Sequence, residues 1–208
     1  MITREIGRFG GSGDGGGLVV VAGIHGNEPA GVHAARRVFA RLDSGDIDLD
    51  GELVVLAGNV HGLNNGVRYV DRDLNRGWTA AKIKELKGRD LAGLQNEDKE
   101  QRELIDAIDG AVARATARAA DVVLADLHTS SAPGVPFVLF GTTAAQREFV
   151  RAFPIPVISG IVDKVEGVLS EFICQRHTPT TFSVEGGQHD SPASVDALEA
   201  ILWLSLAR

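Results

Sequence analysis

The sequence predicts an α/β fold: a three-layer domain with a mostly parallel or mixed central sheet and helices on both faces. Short, continuous runs of β-branched and aliphatic residues recur along the chain, as expected of strands buried on both faces. Longer amphipathic stretches separate them, which is the alternation that crossover connections between parallel strands require. The balance of 44% hydrophobic and 24% charged residues is that of an ordinary globular domain. A length of 208 residues suffices for a full core, so a single domain over 1–208 is expected.

Taken in order, the glycine-rich segment 10–17 (GGSGDGGG) reads as a flexible turn between two strands. It lacks the Gly-Lys-Ser/Thr that a phosphate loop would need. Residues 17–24 (GLVVVAGI) form the first buried-strand pattern, and 29–42 follow as a helix with proline near its first turn. Residues 52–57 (ELVVLA) are a second strand. The stretch 58–89 lacks periodicity and is rich in Asn, Gly, Arg and Asp, as functional loops often are. A long helix is predicted over 97–119, with an acidic first turn that suits the helix dipole. Strands follow at 121–127 (DVVLADL), 135–141 (VPFVLFG), 157–162 and 181–185, with helices at 144–153 and 169–176. An apolar-faced helix closes the chain over 194–208 and could pack internally or across a dimer.

A net charge of -7 argues against nucleic acid as a partner. It leaves room for a small anionic substrate, because local fields can oppose the net charge. The single cysteine, Cys174, cannot form an intrachain disulfide and fits a reducing compartment. Neither a signal-peptide core nor a membrane-length apolar stretch is evident, so a cytoplasmic protein is expected.

Four segments could carry chemistry: GIHGNEPAG with His25 and Glu28, RYVDRDLNR from Arg68 to Arg76, ADLHTSS with His128, and SVEGGQHD with Glu185 and His189. Three of them directly follow strand patterns, and parallel sheets bind ligands beyond the carboxyl ends of their strands. The His-x-x-Glu spacing alone is weak evidence for a metal. With His128 it becomes a two-imidazole, one-carboxylate set, which suits catalytic zinc. Asp126, two residues before His128 in a strand, shares its face and could orient the imidazole. Glu185 precedes two glycines that would leave room for a substrate. Arg76 offers a planar fork for a carboxylate. Asp71 and Asp73 lie between the arginines of the second segment, so internal ion pairs compete with a functional reading, evenly so for Arg72.

Together and in this order, GIHGNEPAG, RYVDRDLNR, DLHTS and VEGG resemble the succinylglutamate desuccinylase/aspartoacylase family, which is related to zinc carboxypeptidases. The resemblance runs from about Leu18 to the end of the chain. It implies a zinc-exopeptidase-like fold and one Zn2+ per chain held by His25, Glu28 and His128. Glu185 resembles the general base that activates the attacking water, and Arg68 the arginine that stabilises the oxyanion. Asn75 and Arg76 resemble the pair that grips a substrate carboxylate. The better-known members carry a further C-terminal β-rich domain, which is not expected within 1–208. Arg176 is considered as a substitute carboxylate contact. The leading reading is a zinc-dependent deacylase of N-acyl amino acids. A zinc carboxypeptidase acting on small peptides is the alternative, and a non-catalytic metal-binding module is the alternative of another class.

Overall fold

The computed structural model describes residues 1–10, 13–118, 121–161, 164–177 and 180–208. Its strands are β1 (Glu5–Gly10), β2 (Gly17–Ala22), β3 (Glu52–Ala57), β4 (Val122–Ser130), β5 (Phe137–Phe140), β6 (Val157–Ser159) and β7 (Thr181–Gln188). The helices are α1 (Ala30–Asp43), α2 (Val60–Asn65), α3 (Ala80–Lys87), α4 (Asn96–Ala117), α5 (Ala144–Val150), α6 (Leu169–Arg176) and α7 (Pro192–Leu206). Among the described residues the strands form one sheet in the order β1-β3-β2-β4-β7-β5-β6. The central β3-β2-β4-β7 block is parallel. β1 runs antiparallel to β3, and β5 antiparallel to β7, so the sheet is mixed.

The continuous apolar runs are explained by burial of both strand faces. Leu18, Val20, Leu53, Val55, Ala125, Leu127 and Val184 pack with Val32, Val38 and Leu42 of α1 and with Leu198 and Leu202 of α7. The alternate positions Val19, Val21, Val54, Leu56 and Leu124 pack with Leu104, Ile105 and Ile108 of α4 and with Leu169 and Ile173 of α6. Period-two geometry assigns each residue its face. The closing helix α7 packs internally on α1, where Arg37 also pairs with Asp196 at 2.7 Å.

Several boundaries move. The run 135–141 shortens to β5, 144–153 shortens to α5, and 181–185 extends to β7. The ends of the predicted 97–119 helix and 157–162 strand, at Ala119 and Val162, lie outside the described residues, as do residues 11 and 12 of the glycine-rich turn. β1 lacks a continuous apolar run because it is an edge strand, its polar side chains paired outward: Arg8 meets Glu5 at 2.6 Å and Glu52 at 3.2 Å. The aperiodic stretch 58–89 contains α2, a 3-10 turn at Leu74–Arg76, and α3. These pieces are too short for a periodic signature, and their starts are set by side-chain caps. Asn59 accepts from Gly62 N, Asp73 from Asn75 N, and Thr79 from Lys82 N.

Candidate metal centre and active site

The strand-to-helix turn after β2 and the parallel strand β4 deliver three side chains that could hold a metal, and β7 brings Glu185 beside them. β2 ends at Ala22, and the turn before α1 carries His25 and Glu28, closed by a hydrogen bond from Glu28 N to His25 O of 3.1 Å. On β4, Asp126, His128 and Ser130 alternate onto the face that Leu124 presents to α4 and α6. On the adjacent β7, Glu185 stands in register with His128, so the two side chains share that face. Gly26 allows the third approach. A Cβ there would lie 2.0 Å from Gly62 C and 2.4 Å from Val67 O, so only glycine lets the 62–68 backbone pass. Gly26 N then donates to Arg68 O at 3.1 Å, which brings the arginine to the turn.

His25, Glu28 and His128 are all buried, and one donor atom from each lies within 4.8 Å of the others. His25 Nδ1 is 2.8 Å from Glu28 Oε1, and His128 Nδ1 is 3.3 Å from Glu28 Oε2. Donors around tetrahedral zinc stand roughly 3.3 Å apart, so the spacing suits a single small ion. The outward nitrogens are also placed for that role. His128 Nε2 lies 2.9 Å from Asp126 Oδ2, and His25 Nε2 lies 3.0 Å from Asp73 Oδ1. Asp126 behind His128 favours a proton on Nε2 and leaves Nδ1 to ligate, and Asp73 can do the same for His25, whose Nε2 also lies 2.9 Å from Arg68 Nη2. The second Glu28 oxygen also accepts from Thr129 N at 2.9 Å. This chemistry and geometry fit a divalent metal.

The residues expected by the sequence do not all converge equally. Arg68 does: Nη2 donates to Asp73 Oδ2 at 2.9 Å, and Nη1 lies 3.4 Å from Glu28 Oε1. Glu185 is one strand away, held by Ser130 Oγ, which donates to its Oε2 at 3.1 Å. The glycines after it do not open space for substrate. A Cβ on Gly186 would strike Leu198 of α7 at 2.5 Å, and Gly187 turns with φ +117° against Ser194. Asn75 is buried, and its Oδ1 accepts from Leu169 N at 2.8 Å, tying the segment to the first turn of α6. Arg76 is exposed, its Nη1 donating to Asn75 O at 2.7 Å. Arg72 belongs to the scaffold, donating to Asp98 at 2.9 Å and Gln101 at 2.7 Å. Arg176 pairs with Asp109 of α4 at 2.8 Å instead of joining the site. His189 Nδ1 meets Thr129 Oγ1 at 2.7 Å.

The electrostatics follow from burial and pairing. Burial pushes Glu28 up, but hydrogen bonds from His128 and His25 outweigh it and hold the carboxyl far below its ordinary range. Asp73 is held low in the same way by His25 and Arg68. His128 is raised well above an ordinary imidazole, because the charges of Asp126 and Glu28 overcome desolvation. His25 is raised by hydrogen bonds to Asp73 and Glu28. Glu185 moves the other way for a carboxylate: burial raises it. Two carboxylates pushed apart by their surroundings suit a metal ligand and a proton acceptor respectively.

Two contributors were invisible to local reading. Asp73 looked like a partner in an arginine-rich loop, yet it backs His25 from 48 positions away. Glu97 looked like a dipole-favouring acid, yet it is buried and binds the 70–72 backbone. Asp126, by contrast, was legible from its two-residue spacing to His128. If the three donors hold a divalent metal, replacing Asp126 with Asn should weaken its binding about ten- to a hundredfold. Competition against a chromogenic chelator measures this, and an unchanged Kd would show that His128 needs no carboxylate behind it.

The sequence profile of the succinylglutamate desuccinylase/aspartoacylase catalytic domain matches residues 14–202. The chain belongs to this family. Over 59 residues it is 37% identical to the succinylglutamate desuccinylase of Pseudomonas paraeruginosa, a match covering 28% of this chain and 18% of that protein. The Yersinia pestis enzyme is 39% identical over the same length. The succinylglutamate desuccinylase structure from Chromobacterium violaceum superimposes with a TM-score of 0.71 at 21% identity, covering 90% of this chain and 59% of that one. A product-bound ectoine utilization protein from Ruegeria pomeroyi gives 0.69 at 17% identity, covering 94% and 58%. This member of the desuccinylase/aspartoacylase family therefore spans under two thirds of those two solved chains, and they share its mixed-sheet α/β fold.

Proposed function

We propose that this chain is a zinc-dependent amidohydrolase that cleaves an amide bond beside a free carboxylate, as an N-acyl amino acid deacylase. The observation that carries the reading is the buried His25–Glu28–His128 set, with Arg68 at its edge and Glu185 in register beside it. Residues 1–208 are read as one catalytic domain. Zinc held by the three donors would supply Lewis acidity, polarising the scissile carbonyl and acidifying water.

The chain's own groups would do the rest. Glu185, raised by burial and steadied by Ser130, takes the proton of the attacking water and passes it to the departing amine. The Arg68 guanidinium, braced by Asp73, faces the charge that develops on the carbonyl oxygen. Arg76, exposed beyond the buried Asn75, offers its remaining N–H donors to the substrate carboxylate.

Turnover of N-succinyl-L-glutamate, N-acetyl-L-aspartate and a panel of dipeptides tests the reading. Faster hydrolysis of the N-acyl amino acids supports deacylation. Preference for dipeptides would replace it with a carboxypeptidase, and no turnover of either by the zinc-loaded protein would overturn it. Arg76→Ala should raise KM about tenfold or more while leaving zinc content unchanged, because the lost contact anchors substrate in ground and transition states alike. A fall in kcat at constant KM would instead place Arg76 at the reacting bond.

A further inference from the structure

Glu97 opens α4 as a carboxylate only 1% exposed. A buried charge is costly unless its lone pairs are filled, and these are filled in an unusual way. Oε1 accepts from Val70 N at 2.8 Å and from Asn59 Nδ2 at 3.1 Å. Oε2 accepts from Asp71 N at 2.8 Å and from Arg72 N at 3.3 Å. The partners are neutral N–H groups, three of them from successive residues, so the carboxylate dictates the path of the backbone. These bonds hold Glu97 below the ordinary carboxylate range despite burial.

The placement is deliberate in its backbone too. Asn96, immediately before Glu97, adopts φ +44°, a left-handed conformation that few side chains tolerate. Its Nδ2 donates to Asp71 Oδ2 at 2.7 Å, on the same loop. Asn59, which donates to Glu97, is fully buried and caps α2, so the 59–66 and 70–72 segments share this one anchor. The anchored residues are flanked by Arg68 and Asp73, the two groups that meet His25 and Glu28.

We propose that Glu97 is a positioning residue: its carboxylate fixes the 70–72 backbone, and through it the Arg68 guanidinium and the Asp73 carboxylate at the metal-ligating group. The catalytic consequence rests on the role given to Arg68 above, whereas the hold on the loop does not. Glu97→Gln keeps the size but turns an amide N–H2 toward backbone N–H groups, so two donors face each other. His25, Glu28 and His128 stand on other elements, so the set itself remains, and only the loop contacts of Asp73 and Arg68 to it are expected to loosen.

Hydrogen exchange on the zinc-loaded protein reads the anchor directly. Protection at Val70, Asp71 and Arg72 is expected to be lost in E97Q, while amides of β2 and β4 stay as in the parent and zinc supplied in excess remains bound. Retained protection at those three amides overturns the proposal, whether or not any substrate is turned over. Kinetics on N-succinyl-L-glutamate or N-acetyl-L-aspartate then read the consequence. E97Q should lower kcat about tenfold or more, and R68A about a hundredfold. With zinc in excess, so that the Asp73 contact to His25 does not limit metal occupancy, the double variant should be little slower than R68A alone, because the loss carried through Arg68 is counted once. Multiplying losses would show that Glu97 acts on the fold generally and would overturn the positioning role. Full kcat in R68A would sink the role of Arg68 and leave the exchange data to decide the anchor. If E97Q does not fold, E97D, which keeps the charge one methylene shorter, serves in the same measurements.

Discussion

Glu185→Gln should abolish nearly all turnover, by about a hundred- to ten-thousandfold in kcat, and keep its zinc. The amide preserves the volume and can still accept from Ser130, but it cannot take a proton. Glu185 is not among the three converging donors, so its loss leaves the His25–Glu28–His128 set intact. The fold should not suffer either. Burial raises the Glu185 carboxyl above its ordinary value, so the native state disfavours its ionised form. For a group shifted up, the contribution to stability is full below the unfolded pKa and is lost as pH rises through the folded value. Ionised Glu185 is therefore a local cost near neutrality, and the neutral glutamine should leave the melting temperature equal or slightly higher. The same burial pushes the acid limb of kcat/KM toward higher pH. Wild-type kcat in the zinc-loaded glutamine variant would remove Glu185 from the mechanism.

How far the sequence foretold this site depends on the distance over which each residue acts. His25, Glu28 and His128 were legible because apolar runs locate strand ends, and strand ends locate ligands in a parallel sheet. Asp126 followed from the alternation of a strand. Glu185 was placed by the same rule, and the register of β4 with β7 sets it beside His128. The rest depends on contacts that local pattern does not encode. Asn75 is expected at a substrate carboxylate from its motif, but nothing local foretells that its oxygen also secures α6 at Leu169, which lies 94 positions away. Glu97 was read as a helix-start acid, which is true of its position but says nothing of the loop it holds. The 58–89 stretch seemed shapeless because its order comes from α4. Glu100 caps α2 through Val60 N and His61 N, and Gln101 Nε2 holds Gly77 O at 2.8 Å. One turn of α4 thus organises a segment whose own sequence shows no period.

Zinc should bind far more tightly at pH 8 than at pH 6, with protons released on binding. In the metal-free site both imidazoles are raised above their ordinary values, because neighbouring carboxylates, Asp73 and Glu28 for His25 and Asp126 and Glu28 for His128, outweigh the cost of burial. Glu28 is depressed for the reciprocal reason. The sign for each group follows. Glu28 stabilises the metal-free fold above its unfolded pKa of 4.5 and ceases to do so as acid protonates it. The histidines stabilise that fold fully below 6.5, and lose their contribution as pH rises through their folded values. The metal-free protein is therefore favoured by mildly acidic conditions, with Glu28 charged and the imidazoles protonated. Zinc requires Nδ1 of both rings to be unprotonated, so it competes with those protons, at about a tenfold loss of affinity per pH unit for each proton displaced. The melting temperature gained on adding Zn2+ should widen from pH 6 to pH 8, and calorimetry in buffers of different ionisation enthalpy should count the protons. A zinc-induced shift that does not change with pH would mean that the imidazoles are already neutral in the metal-free site. Asp126 and Asp73 would then serve only to orient the rings, not to hold protons on them.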